Sequence, residues 1–153
     1  MSRLSRRVVG VATALMIAMG TVVATSGAAN AASPLCTTRV STGDSHDHVF
    51  WVPLETRNGY NERCYLNQDQ TRSYNTGTLA LQDTLRRCYG KSIAVDGKFG
   101  PATRSALIAA QSSAGAAADG RYGPESRSKL KWPVRAGSHG GHLGSCERVA
   151  ITS

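Results

Sequence analysis

A segment of twelve residues that occurs twice constrains the fold of this 153-residue chain more than any other feature. Asp96–Leu107 reads DGKFGPATRSAL, and Asp119–Leu130 reads DGRYGPESRSKL. The Asp-Gly pair is typical of a tight turn, because glycine adopts the positive φ that such a turn requires. The Gly-Pro pair then begins a helix, with glycine at the N-cap and proline at the first helical position. The chain therefore contains two copies of a turn that leads into a helix.

The side chains of the two turns are predicted to have structural roles. Each aspartate can accept backbone N–H groups of its own turn, and each aromatic ring is the large apolar group that fills the core. A catalytic carboxylate pair would need two different environments, whereas these aspartates occupy equivalent turns. The structural positions are Asp96, Gly97, Phe99 and Gly100 in the first copy, and Asp119, Gly120, Tyr122 and Gly123 in the second.

Three helices follow from the apolar periodicity and the stop signals. The first begins near Thr76 and ends at Gly90, with one apolar face formed by Thr78, Leu81, Leu85 and Cys88. The second runs from Pro101 to Ala114 and the third from Pro124 to about Leu130.

The segments on either side of these helices show no long periodicity. Residues 32–75 are predicted to be irregular, except that His48–Leu54 (HVFWVPL) reads as a short strand or a core contact. Val134–Ser153 is rich in glycine, and we expect a loop that Cys146 fastens to the helices.

The first 31 residues have the pattern of an export signal. Three arginines precede an apolar run of 16 residues, Val8–Val23, which is shorter than the roughly 20 residues of a membrane-spanning helix. Ala29-Asn30-Ala31 then matches a cleavage site, so we expect a mature chain that begins at Ala32, is secreted or wall-associated, and has no membrane anchor.

The net charge of the mature chain is mildly positive. The leader contains three of the 18 Lys and Arg residues and none of the 10 acids, so the remaining chain carries +5. This charge favours anionic partners such as wall polymers. The basic residues form no run, and export also argues against nucleic acid as a partner.

Four cysteines in an exported chain of this size predict two disulfides. Three connectivities are open, and we favour Cys36–Cys64 with Cys88–Cys146. A zinc site is the competing interpretation, but no Cys-x-x-Cys pair is present.

The histidines offer a second zinc hypothesis. His46 and His48 lie near Asp44 and Asp47, and His139 and His142 form a second pair. Both groups lie in loops without the framework that fixes ligand geometry, so we predict no metal and no other cofactor. Since every cysteine has a partner and no G-x-S-x-G motif is present, no nucleophile is predicted.

The region around the repeat resembles the peptidoglycan-binding domain family, a small module attached to many bacterial wall hydrolases. The resemblance covers about residues 76–133, with an irregular segment at 32–75 and a tail at 134–153. It is carried by Leu81-Gln82, Leu85, Asp96-Gly97, Phe99-Gly100-Pro101, Thr103, Ala106, Gln111, Gly115, Asp119-Gly120, Gly123-Pro124 and Leu130. The resemblance implies an all-α fold, an orthogonal three-helix bundle with irregular disulfide-tethered extensions, and wall binding without catalysis.

One departure from the family pattern concerns Ala110, where an aromatic residue is usual before the glutamine. An unfilled hole of that size would cost about 3–5 kcal/mol. We therefore expect another group to fill it, with Trp51 and Trp132 as the candidates.

The predicted function is noncovalent binding of peptidoglycan, or of an associated anionic wall polymer, by a monomer that is not an enzyme. The alternatives are a small zinc-dependent wall hydrolase and a protein–protein module, such as an inhibitor or effector, that reuses the scaffold. Polar and aromatic side chains on or between the helices are the predicted ligand contacts: Gln82, Tyr89, Arg104, Gln111, Arg121 and Arg127.

Overall fold

The structure is a computed structural model that describes residues 34–43, 48–56, 61, 63–69, 73–137 and 141–149. The predicted export signal and the cleavage site lie outside these residues. The described elements are β1 (Thr38–Gly43), β2 (His48–Leu54), α1 (Thr76–Tyr89), α2 (Pro101–Ala114), α3 (Pro124–Lys129), β3 (Lys131–Ala136) and β4 (His142–Arg148). None of the described helices is long and apolar enough to cross a membrane.

The prediction of an all-α fold, an orthogonal three-helix bundle with irregular extensions, is wrong. The two flanking segments form an antiparallel sheet of four strands in the order β1-β2-β3-β4. The segment before the helices contributes β1 and β2, and the segment after them contributes β3 and β4. The module is therefore a set of three helices packed on a sheet that its own extensions build.

The sheet has a physical basis that local periodicity does not reveal. Strands β2 and β3 pair only through His48↔Ala136 and Val49↔Arg135, which join residues far apart in the sequence. β4 (HLGSCER) is largely exposed and carries a glycine, so it has no apolar alternation to mark it. Its place is fixed by pairing with β3 and by the disulfide at Cys146.

The helices begin and end at the predicted signals, with one change. Gly100 and Gly123 are the N-caps of α2 and α3, each followed by proline, and α1 and α2 end at left-handed glycines, Gly90 and Gly115. The first helix was predicted to begin near Thr76, and its cap is the preceding residue, Asn75, because the Asn75 side chain accepts the N–H of Thr78 at 3.0 Å. A side-chain oxygen at this position satisfies one of the free N–H groups of the first turn.

The core lies between the helices and the sheet. β2 contributes Phe50 and Val52, and β3 contributes Trp132 and Val134. These side chains pack against apolar residues of the helices and against the two turn aromatics. Both turn aromatics, Phe99 and Tyr122, have no exposed surface. The prediction that the turn aromatics fill the core is therefore confirmed.

Both disulfides have the favoured pairing. Cys36–Cys64 closes the segment before α1, and Cys88–Cys146 joins the end of α1 to β4. Because β4 is an edge strand with few apolar contacts, the second disulfide is the covalent link that fastens the sheet edge to the helical core.

The two tryptophans have different surroundings. Trp132 is fully buried in the cluster that also contains Ala110, and its ring lies edge-on to Tyr122 with centroids 6.0 Å apart. Trp51 is held between two guanidinium groups instead, with Arg39 at 3.8 Å and Arg135 at 3.7 Å from its ring centroid. Of the two candidates for the space beside Ala110, the structure places Trp132 in the shared core.

Candidate functional site

The first turn is held by a buried glutamine of α1. The Gln82 side-chain oxygen accepts the N–H of Asp96 at 3.1 Å and that of Gly97 at 2.8 Å. Its amide nitrogen donates to Asp96 Oδ1, to the Lys98 carbonyl and to Thr103 Oγ1, each at 3.0 Å. Gln82 is 1% exposed. All the hydrogen-bonding capacity of this amide is directed into the turn.

The second turn is held in the same way by a glutamine of α2. The Gln111 oxygen accepts the N–H of Gly120 at 2.9 Å, and its nitrogen donates to Asp119 Oδ1, the Arg121 carbonyl and Ser126 Oγ. Gln111 is also 1% exposed. The two glutamines, which were predicted as ligand contacts, therefore lie under the turns and position them.

The two aspartates complete this arrangement. Asp96 Oδ1 accepts the N–H of Lys98 at 2.9 Å, and Asp119 Oδ1 accepts the N–H of Arg121 at 2.9 Å. The bond from Lys98, followed by the one from Gln82, lowers the pKa of Asp96. A carboxylate stabilised in its charged form by N–H donors of its own turn suits a structural role.

The second turn differs from the first because a groove opens beside it. A cavity of about 340 Å³ is bordered by Tyr65, Asp119, Arg121 and Glu125. A second cavity, of about 490 Å³, shares Asp119 and Arg121 with the first and extends to Arg104 and to the loop Asn67, Gln68 and Asp69. We call these two adjoining cavities together the second-turn groove. It brings together three predicted ligand contacts, Arg104, Gln111 and Arg121.

Tyr65 forms one side of the groove, and Gly123 makes room for it. A Cβ added at Gly123 would lie 2.6 Å from Tyr65 Cε1, closer than real side chains approach. The equivalent glycine of the first copy, Gly100, has no atom within 4 Å of the same position. Equivalent residues of the two copies thus have different surroundings: Gly123 packs against the Tyr65 ring, whereas in the first copy it is Gly97 that packs against a ring, that of Tyr74.

Among the described residues, two guanidinium groups of the groove, those of Arg104 and Arg121, pair with no carboxylate. Glu125 pairs with Lys129 at 3.0 Å, and an Arg104 nitrogen donates to the Asp119 carbonyl at 3.2 Å. The Arg121 guanidinium is exposed and lies 5.9 Å from the Tyr65 ring centroid. Among the described residues it makes no side-chain hydrogen bond or ion pair. The groove can therefore offer a free guanidinium next to an aromatic ring.

The remaining predicted contacts, Tyr89 and Arg127, do not border the groove. The Tyr89 hydroxyl accepts the N–H of Lys131 at 2.8 Å, and burial raises the pKa of Tyr89. Arg127 is 4% exposed, and its carbonyl accepts the Trp132 indole N–H at 3.0 Å. Both residues join the helices to β3.

Sequence reasoning missed the contribution of Tyr65, Asn67 and Gln68 to the groove. These residues lie in the segment that showed no periodicity. Their position next to Cys64, a cysteine predicted to be bridged, was the available signal that this segment is fixed against the helices.

Four of the residues in the zinc hypothesis lie outside the part of the chain that the structure describes: Asp44, His46, Asp47 and His139. His48 Nδ1 lies 3.7 Å from Glu147, and His142 Nδ1 lies 3.0 Å from the Val134 carbonyl. Within the described part of the chain, no group of three or more His, Cys, Asp or Glu residues could hold a metal ion.

Turn-linked helices beside a polar groove with an exposed cation and aromatic ring define a small binding module. Comparison with known proteins identifies which one. Residues 74–130 match the family described as "Putative peptidoglycan binding domain". This part of the chain therefore belongs to the peptidoglycan-binding domain family.

One solved structure is also similar, a peptidoglycan-binding protein from Clostridioides difficile in complex with glutamine hydroxamate. The two are 20% identical with a TM-score of 0.41, over 57% of this chain and 53% of that one. The match thus spans about half the length of that protein. No curated protein matches the chain.

Proposed function

We propose that this protein is exported and binds bacterial peptidoglycan noncovalently, as a monomer, without catalysing a reaction. The observation that carries the proposal is the peptidoglycan-binding domain at residues 74–130. The two disulfides support export, because such bonds persist outside the reducing cytoplasm.

The second-turn groove is the surface that we assign to the wall polymer. It is concave, it carries an exposed guanidinium that no described residue neutralises, and an aromatic ring borders it. Peptidoglycan offers sugar rings, amides and carboxylates, and each of these groups has a counterpart there. The turn aromatics Phe99 and Tyr122 are fully buried and are assigned to the core instead.

The binding test is co-sedimentation of the protein that begins at Ala32 with purified, washed sacculi. We expect the wild-type protein to pellet with the sacculi and the Arg121→Gln variant to pellet less. Arg86→Gln is the matched control, because Arg86 is also exposed but lies in α1 and borders a different surface. Failure of the wild-type protein to pellet would refute wall binding.

The absence of catalysis needs a separate test. The protein is incubated with sacculi in the presence of zinc, and the supernatant is examined for soluble fragments by chromatography. We expect none to be released. Release of fragments that is lost when His46 or His139 is replaced would instead identify a zinc-dependent hydrolase.

A further inference from the structure

The second-turn groove has one side that the family domain does not supply. Tyr65, Asn67 and Gln68 precede residue 74, where the family match begins. Arg104, Asp119 and Arg121 on the opposite side lie within the matched residues. The groove is therefore composite, with a wall from each of two parts of the chain.

The wall that carries Tyr65 is fixed by backbone bonds and a disulfide. The Tyr65 N–H donates to the Pro34 carbonyl at 2.9 Å, and its carbonyl accepts the N–H of Cys36 at 3.0 Å. The adjacent Cys64 is bonded to Cys36. On the other side, Leu66 and Tyr122 exchange both backbone hydrogen bonds, at 3.1 and 2.9 Å. Tyr65 is thus held against the second turn from both flanks.

The charge balance indicates which ligand chemistry the groove takes. Three acidic residues border the groove: the carboxylate of Asp119 accepts from Gln111 and from the N–H of Arg121, that of Glu125 pairs with Lys129, and Asp69 lies on the opposite wall. The Arg121 guanidinium remains available, and guanidinium groups bind carboxylates through paired N–H donors. The nearby Tyr65 ring offers an apolar face for the group that bears the carboxylate.

We propose that the groove binds a free carboxylate of the peptidoglycan stem peptide at Arg121, with the adjoining part of the ligand packed on Tyr65. The site requires the Cys36–Cys64 segment, so residues 74–130 alone do not form it. The inference rests on the proposed function and names the part of the wall polymer that is recognised.

The experiment measures the affinity of the full mature chain for three soluble probes by calorimetry. They are a disaccharide peptide with free carboxylates, the same compound with amidated carboxylates, and a glycerol phosphate polymer. We expect amidation to weaken binding about tenfold or more, as for the loss of a charge-assisted hydrogen bond. With Arg121→Gln, this difference between the first two probes is expected to disappear.

Matched variants separate the role of Tyr65 from general folding. Gly123→Ala and Tyr65→Ala are expected to weaken binding of the free carboxylate, whereas Gly100→Ala, the equivalent change in the first turn, is not. Replacing Cys36 and Cys64 by serine is expected to weaken binding more than the same replacement of Cys88 and Cys146. Thermal unfolding of each variant identifies any that fail to fold. If the serine variants do not fold, Gly123→Ala still tests the role of Tyr65.

Three results would overturn the inference. They are equal affinity for the free and amidated peptides, preference for the phosphate polymer, and unchanged binding by both Gly123→Ala and Tyr65→Ala. If the wild-type protein still pelleted with sacculi, the proposed function would stand and only the carboxylate site would fail. If it did not pellet, both proposals would fail.

Discussion

Replacing the buried glutamines by methionine tests how the two turns are held. Methionine has a similar length and volume but cannot form the amide hydrogen bonds. Gln82→Met leaves the N–H of Gly97 and the hydroxyl of Thr103 without these partners, and both residues are buried. Each buried group left unpaired costs about 1–3 kcal/mol, so we expect a loss of about 4 kcal/mol.

The same change in the second turn is expected to cost less. Gln111→Met leaves the N–H of Gly120 without its partner. The hydroxyl of Ser126 and the carbonyl of Arg121 are still bonded to each other at 3.3 Å. With one group left unpaired instead of two, the expected loss is about 2 kcal/mol, or about half of that for Gln82→Met.

Equilibrium unfolding in urea, with the disulfides intact, measures both losses. Gln68→Met is the matched control, because Gln68 lies in a surface turn, and we expect a change within about 0.5 kcal/mol. Loss of less than about 1 kcal/mol in both buried variants would refute the role of these amides. A larger loss for Gln111→Met than for Gln82→Met would refute the count of unpaired groups.

Three further predictions concern charge and covalent links. Asp83→Asn removes the charge of the carboxylate that contacts Arg87 at 2.7 Å and the nearly buried Arg135, and urea unfolding is expected to show a loss of about 2 kcal/mol, as for a hydrogen bond between charged groups. Glu125→Gln, which breaks the exposed pair with Lys129, should cost less than about 0.5 kcal/mol. Equal losses for Asp83→Asn and Glu125→Gln would contradict this difference. The folded-state pKa of Asp96 is lowered from 3.8, so its stabilising effect is complete above that value and is lost as the pH falls through the lowered pKa. Unfolding measured between neutral pH and about pH 2 should therefore show a flatter acid decline for Asp96→Asn, and parallel curves would contradict this. Serine replacement of Cys88 and Cys146, 58 positions apart, should cost about 4.2 kcal/mol, and that of Cys36 and Cys64, 28 apart, about 3.6 kcal/mol. The reverse order in urea unfolding would show that loop length does not decide the difference.

The helical part of the fold follows from local sequence signals. Gly100-Pro101, Gly123-Pro124, Gly90 and Gly115 mark helix ends by their backbone preferences, and the structure places ends at each of them. The positive φ of Gly97 and Gly120, 72° and 71°, confirms the predicted turns. Local chemistry decides these features, so the sequence was sufficient.

The sheet depends on pairings between distant residues, and local patterns could not predict it. His48–Leu54 was recognised as a short strand or core contact, but its partner β3 lies after α3 and contains Pro133. Proline is depleted in strands, and Pro133 stands where the β3–β4 register shifts. The sequence signal at β3 therefore argued against a strand.

The candidate site was predicted in part. Arg104, Gln111 and Arg121 border the second-turn groove, but Gln82 lies beneath the first turn, and Gln111 also holds the second turn from below. The glutamines precede their Asp-Gly pairs by different distances, so the repeat does not show that they have the same role. Tyr65 reaches the groove through the Leu66–Tyr122 pairing, which is a tertiary contact that only the structure reveals.

The most direct test of the central claim is the fraction of mature protein that sediments with washed sacculi, measured for the wild-type protein and for Arg121→Gln. We predict that the wild-type protein pellets and that loss of the Arg121 guanidinium, which forms an ion pair with none of the described residues, reduces the pelleted fraction. A wild-type protein that stays in the supernatant would contradict wall binding. Equal pelleting of the two proteins would contradict the assignment of the second-turn groove as the binding surface.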